Sequence, residues 1–236
     1  MKSEMLRFVL ILFIGLFGAL NIGVAQDGFH FGAKGGFTLA NQNWNENDRS
    51  ALLTFHGNVF VESLDLDDRG SLFAQLGLHN RGSSIRNNTF NFNTLQTGYK
   101  FQNISLMVGA KKSIPTNFSA GVYYLLGLRA EYTLSNNLEQ VLIDFCSITT
   151  TTNRCPFPDP LFVNSFNYGL TVGGGFEFGG TDFFTPAIEF SISPDVSFQY
   201  DRPELPNLGL NQARIRNITF EISLVLKFLR EIVYVE

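Results

Sequence analysis

Eight runs of the chain alternate apolar and polar residues with period two. The gaps between them alternate short and long, and the composition is poor in charge but rich in phenylalanine and glycine. Together these predict an all-β fold, an eight-stranded antiparallel up-and-down transmembrane β-barrel. Charged residues make up 16% of the chain, with 25 Phe and 22 Gly, against roughly 25% charge in ordinary soluble domains. The formal net charge of −4 argues against nucleic acid as a partner.

The first run, "FHFGAKGGFTLA", sets Phe29, Phe31, Ala33, Phe37 and Leu39 against His30, Lys34 and Thr38. The second, "LTFHGNVFVES", sets Leu53, Phe55, Val59 and Val61 against His56, Asn58, Phe60 and Glu62. In the third, "SLFAQLGLHN", Leu72, Ala74, Leu76 and Leu78 oppose Phe73, Gln75 and His79. The fourth, "FQNISLMVGAK", opposes Ile104, Leu106, Val108 and Ala110 to Asn103, Ser105, Met107 and Lys111. The fifth, "FSAGVYYLLGLRAEY", places Val122, Tyr124, Leu126, Leu128 and Tyr132 opposite Tyr123, Arg129 and Glu131. The sixth, "FNYGLTVGGGFEF", divides into Phe166, Tyr168, Leu170, Val172, Phe176 and Phe178 against Asn167, Thr171 and Glu177. The seventh, "FFTPAIEFSIS", gives Phe184, Ile188, Phe190 and Ile192 against Thr185, Glu189 and Ser191. The last, "ITFEISLVLKF" at 218–228, is apolar at every even position and carries Glu221, Ser223 and Lys227 between. Most runs reach the ~9–11 residues that a tilted strand needs to cross a bilayer.

The connections strengthen this reading. After runs two, four and six they are short ("DLDDRG", "KSIPTN", "GGTD"), and after runs one, three, five and seven they are long. Tight turns on one side and extended loops on the other are the pattern of outer-membrane barrels, and an even strand count puts both termini in the periplasm. A sheet in lipid must close, because an open edge leaves backbone groups that no water satisfies. The apolar set then faces the acyl chains. Aromatics gather at both ends of the runs as interfacial girdles: Tyr99, Phe101, Tyr132, Phe166 and Tyr168 at the long-loop end, with Phe29, Phe31, Phe118, Phe176, Phe178 and Phe228 at the other. The competing fold is a soluble barrel with the oily face inward, which would show water an unusually bland surface.

The inward set collects Lys34, Lys111, Arg129 and Lys227 with Glu62, Glu131, Glu177, Glu189 and Glu221. Eight strands enclose an interior that side chains just fill, and charges in it must pair. A structural polar core is therefore expected, with an ion or proton path as the alternative. No metal or cofactor site is predicted. Catalysis by a small barrel needs a His with a nucleophile and a carboxylate. Of the three histidines, His30 falls near the periplasmic rim, while His56 and His79 fall toward the surface rim on neighbouring strands. His79 with Ser83 or Ser84 is the best triad available. No motif marks a nucleophile, so the chain is read as not an enzyme. "GLTVGGGFEFGG" opens no helix and lacks GK[ST], so its glycines are strand glycines rather than a phosphate loop.

At the N-terminus, Lys2 and Arg7 precede the apolar run "FVLILFIGLFGAL", and Gly23 and Ala25 fit a cleavage site. Residues 1–25 are expected to be a signal peptide, 26–229 the barrel and 230–236 a short periplasmic tail. Cys146 and Cys155 bracket eight residues, and in an oxidising compartment a disulfide is the expected state. That loop, stiffened by Pro156, Pro158 and Pro160, is a natural recognition surface.

The strand "FHFGAKGGFTLAN" after a leader ending in "AQ", with "FQNISLMVGAKK", "YYLLGLRAEYTLS", "GLTVGGGFEF" and the closing "FEISLVLKF", resembles the PorT-like outer-membrane β-barrel family. The resemblance implies an eight-stranded barrel in the outer membrane, without catalytic residues to carry over. From its loops the chain is read as a binding or accessory component, with outer-membrane lipid around the wall and a protein partner in a secretion or assembly complex; a lipid-modifying enzyme and a narrow solute path are the alternatives. The namesake branch takes part in type IX protein secretion.

Overall fold

A computed structural model describes residues 28–43, 49–63, 70–85, 97–115, 120–141, 159–179, 184–206 and 211–231. The expected leader, the tail beyond 231 and both cysteines lie outside the described residues. The described residues form ten strands: β1 (Gly28–Asn43), β2 (Arg49–Ser50), β3 (Leu52–Ser63), β4 (Ser71–Ile85), β5 (Thr97–Ile114), β6 (Gly121–Asn136), β7 (Phe166–Glu177), β8 (Phe184–Pro194), β9 (Tyr200–Arg202) and β10 (Ala213–Glu231). Eight of them form the wall in the order β1-β3-β4-β5-β6-β7-β8-β10, every neighbour antiparallel. The wall closes where β1 pairs β10 from Gly28↔Glu231 to Asn43↔Arg216. Closure removes the free edges that lipid does not tolerate. The two short strands sit at the long-loop end, β2 against β4 and β9 against β10.

Alternation decides the faces. The large apolar side chains of the eight runs point outward into what would be solvent, among them Leu72 at 69%, Leu128 at 64% and Phe55 at 63% exposure. This is the inverse of a soluble barrel, and so broad an apolar surface calls for lipid. On β10 the exposed apolar face runs from Ile218 to Leu226 and continues to the half-buried Phe228. Ten residue steps at ~3.4 Å span roughly 34 Å, and at a tilt of about 40° they give a belt about 26 Å high, close to the height such barrels present to lipid. Across the closing seam Phe184, Phe228 and Phe31 form a ladder of rings with centroids 5.4 and 5.6 Å apart. This ladder lies at the short-turn end, one of the two girdles.

Two girdle residues were misplaced by the sequence reading. Tyr99 and Phe101 are not interfacial: they are 0% and 1% exposed and pack with Leu138 and Val141 inside the long-loop mouth. Their parity with inward Asn103 already pointed there. The strands also run farther than their apolar stretches, since β4 continues to Ile85 and β10 begins at Ala213. Above the belt the outward face turns polar while the inward face carries polar and apolar groups alike, Tyr99, Phe101 and Ile215 among them, so the outward-apolar alternation ends while the backbone ladder goes on.

Small residues make room for large ones in the interior, as narrow barrels require. A Cβ on Gly175 of β7 would stand 2.5 Å from the Tyr123 hydroxyl and from the Ile188 carbonyl oxygen. Glycine there lets Tyr123 cross the lumen, with Leu125, Ala187 and Val225 beside it and Phe60 and Phe73 against them.

Candidate functional site

The lumen is built in layers, each supplied by inward positions from several strands. Nearest the short turns, Lys111 of β5 reaches Glu177 of β7 at 2.7 Å and Glu62 of β3 at 3.3 Å. Lys227 of β10 joins Glu177 from the other side at 2.7 Å, and the Ser71 hydroxyl donates to Glu62 at 2.8 Å. One step inward, Lys34 of β1 pairs with Glu189 of β8 at 2.5 Å, and the Tyr123 hydroxyl donates to the second Glu189 oxygen at 3.0 Å. The Lys111 ammonium also lies 3.9 Å over the Tyr123 ring. A shared carboxylate, bracketed by two lysines, lets these charges be buried without any standing alone.

The middle layer is an imidazole pair. His56 of β3 stacks on His79 of β4 with centroids 5.5 Å apart and planes 7° from parallel. His79 meets Glu221 at 2.8 Å through Nδ1 and Asn58 at 2.8 Å through Nε2. His56 shares hydrogen bonds of 2.8 Å with Thr38 through Nδ1 and with Ser223 through Nε2. Register places the pair level with Gly36 and Ser223, so it sits at mid-height and not toward the surface rim. His30, opposite Glu62 in register, is half-buried near the short-turn end.

The layer toward the long loops holds two arginines and two carboxylates. Arg81 of β4 is fully buried, with Nη2 at 2.7 Å and Nε at 3.0 Å from Glu131 of β6, and its Nη1 donates to Thr219 at 2.8 Å. Arg129 of β6 pairs with Asp195 and lies 3.0 Å from Glu131. Asn103 and Asn217 donate to Glu131 and Asp195 at 3.1 and 2.8 Å. Above this, Gln42 donates to Asn217 at 3.0 Å and accepts from Ser83 at 2.8 Å. The apolar group of Tyr99, Phe101, Leu138 and Val141 lies at the same end of the barrel. A cavity of about 30 Å³ near the short turns is lined by Lys34, Glu62, Tyr123, Glu189 and Lys227 among others, about one water's share of liquid volume.

A profile for the outer membrane protein β-barrel domain matches residues 24–200, three quarters of the chain. This chain belongs to that family. Among curated proteins no sequence matches it. Three solved outer-membrane proteins are similar in structure. OprG from Pseudomonas aeruginosa shares 12% identity at a TM-score of 0.48, over 86% of this chain and 98% of that one. Neisserial surface protein A shares 11% at 0.44, over 85% and 96%. Ail, the attachment invasion locus protein of Yersinia pestis, shares 12% at 0.40, over 86% and 100%.

As an outer membrane β-barrel domain, the chain crosses the bilayer with strands, and among the described residues no helix is long and apolar enough to do so. All nine charged residues singled out in the sequence reading lie in its lumen: Lys34, Glu62, Lys111, Arg129, Glu131, Glu189, Glu221 and Lys227 are buried, and Glu177 is half-buried at the rim. Arg81 and Asp195 were missed because both stand beyond the apolar stretches. Parity would have found them, since Arg81 follows inward His79 and Asp195 follows inward Ser191 and Ser193. Ser83 bonds Gln42 and is not joined to His79. A serine that does meet a histidine is Ser223, on His56 at 2.8 Å. Among the described residues no cluster of three or more His, Cys, Asp or Glu has a geometry for metal.

Proposed function

We propose that this barrel is a non-conducting, non-enzymatic platform that acts through its long loops and the collar beneath them, as a binding or accessory component of protein secretion or envelope assembly. One observation carries the reading. Ion pairs, the imidazole pair and the apolar cap fill the lumen at successive heights, so recognition falls to what the strands display at their ends. The sequence resemblance supports placing it in the PorT-like branch, and the alternation of connections supports periplasmic termini with long loops at the cell surface.

The non-enzymatic part rests on the imidazoles. A nucleophilic triad needs a carboxylate on the far nitrogen of the histidine that meets the serine. Here Ser223 meets His56, but the far nitrogen of His56 bonds Thr38, and Glu221 is held by His79. Purification in mild detergent is expected to bring down a defined partner complex. Recordings in planar bilayers are expected to show no stable conductance step. A large, stable step would overturn the filled-lumen reading in favour of a narrow solute path.

A further inference from the structure

At the long-loop end the outward face of β10 changes character within one step. Below lie exposed Ile218, Phe220 and Ile222, and above lie exposed Arg216 and Arg214. Successive residues on one face are ~7 Å apart along a strand, so Arg216 stands at the upper border of the apolar belt. Both guanidiniums rest on one ring: Arg216 lies 4.2 Å and Arg214 5.0 Å from the centroid of Phe198. Arg214 is partly balanced by Asp201 at 3.1 Å. Arg216 has no ion pair among the described residues. Asn43, its register partner on β1, and Gln212 complete an open cleft of about 300 Å³ with Phe198 and the two arginines.

An aromatic ring holds these side chains extended and lowers the entropy lost when they bind. The planar fork of arginine fits the oxygens of a phosphate in pairs, which a point charge does not do. The cleft opens outward, beside the lipid-facing wall and not into the lumen, so its ligand carries hydrocarbon below and negative charge above. We propose that Arg216 and Arg214, backed by Phe198, form a binding site for the phosphorylated headgroup of a lipid in the leaflet at the long-loop end. This rests on the long loops facing the cell surface only for the choice of leaflet.

Full-length barrel in detergent micelles, titrated with lipid A bearing both phosphates, with the same lipid after phosphatase treatment, and with inorganic phosphate, tests this by native mass spectrometry. The folded state is verified by electrophoretic shift. The phosphorylated lipid is expected to bind about tenfold more tightly than the dephosphorylated one, the scale of one charge-assisted hydrogen bond. Arg216→Gln removes that preference, while Arg216→Lys, which keeps the charge and the fold, retains only part of it. Lys112→Gln, removing an exposed cation at the other end, leaves it intact. Equal loss in Lys112→Gln, an unchanged preference in Arg216→Gln, or full competition by inorganic phosphate overturns the proposal. Protease cleavage of the long connections on whole cells reads the orientation separately, since binding in micelles does not depend on it.

Discussion

Replacing Arg81 by methionine removes the guanidinium on which the upper lumen layer converges. The side chain is fully buried, with contacts of 2.7 and 3.0 Å to Glu131, 2.8 Å to Thr219 and 3.9 Å to Asp195. Without it Glu131 and Asp195 share Arg129 alone. Removing one partner of a buried pair costs ~3–5 kcal/mol. Glu131 keeps Arg129 at 3.0 Å and Asn103 at 3.1 Å, which places the expected loss at the lower end, about 3 kcal/mol. The double variant Arg81→Met/Glu131→Leu leaves Arg129 and Asp195 balanced one to one. It is therefore expected to cost less than the sum of Arg81→Met and Glu131→Leu taken singly, by about 1–2 kcal/mol of coupling. Equilibrium urea unfolding in phospholipid vesicles, with folded barrel scored by electrophoretic mobility, measures both. An Arg81→Met barrel within about 1 kcal/mol of the parent, or single effects that simply add, would refute the claim that these charges hold one another in the lumen.

The same assay checks three other expectations. Leu224→Arg, at the middle of the outward face of β10 and 57% exposed, should cost ~2–4 kcal/mol if hydrocarbon wets that face; no cost would remove the wall from lipid. Gly175→Ala should cost ~1–3 kcal/mol through its collision with Tyr123 and the Ile188 carbonyl. Gly57→Ala, whose Cβ would meet nothing within 4 Å, should be nearly neutral, and equal costs would show that lumen crowding is not the cause. For the non-enzymatic proposal, His79→Ala is expected to leave outer-membrane lipid acylation unchanged in cells, as judged by mass spectrometry of extracted lipid, and a shift in acyl chains would revive the enzyme reading.

The sequence alone determined the wall. Lipid presses on every second residue, so the outward positions of all eight crossings had to be apolar, and that constraint is local enough to be read one strand at a time. The inward set followed by parity, which is why Lys34, Glu62, Lys111, Arg129, Glu131, Glu177, Glu189, Glu221 and Lys227 were legible before any fold. Partnership was not. Lys34 meets Glu189 across 155 positions of chain and Arg81 meets Glu131 across 50, distances that only closure of β1 on β10 and the stagger of the strands turn into contact. Arg81 and Asp195, and the inward turn of Tyr99 and Phe101, escaped the pattern because no hydrocarbon faces the strands above the belt. There the outward face is no longer apolar, and backbone pairing across the sheet is what carries each side chain to its place.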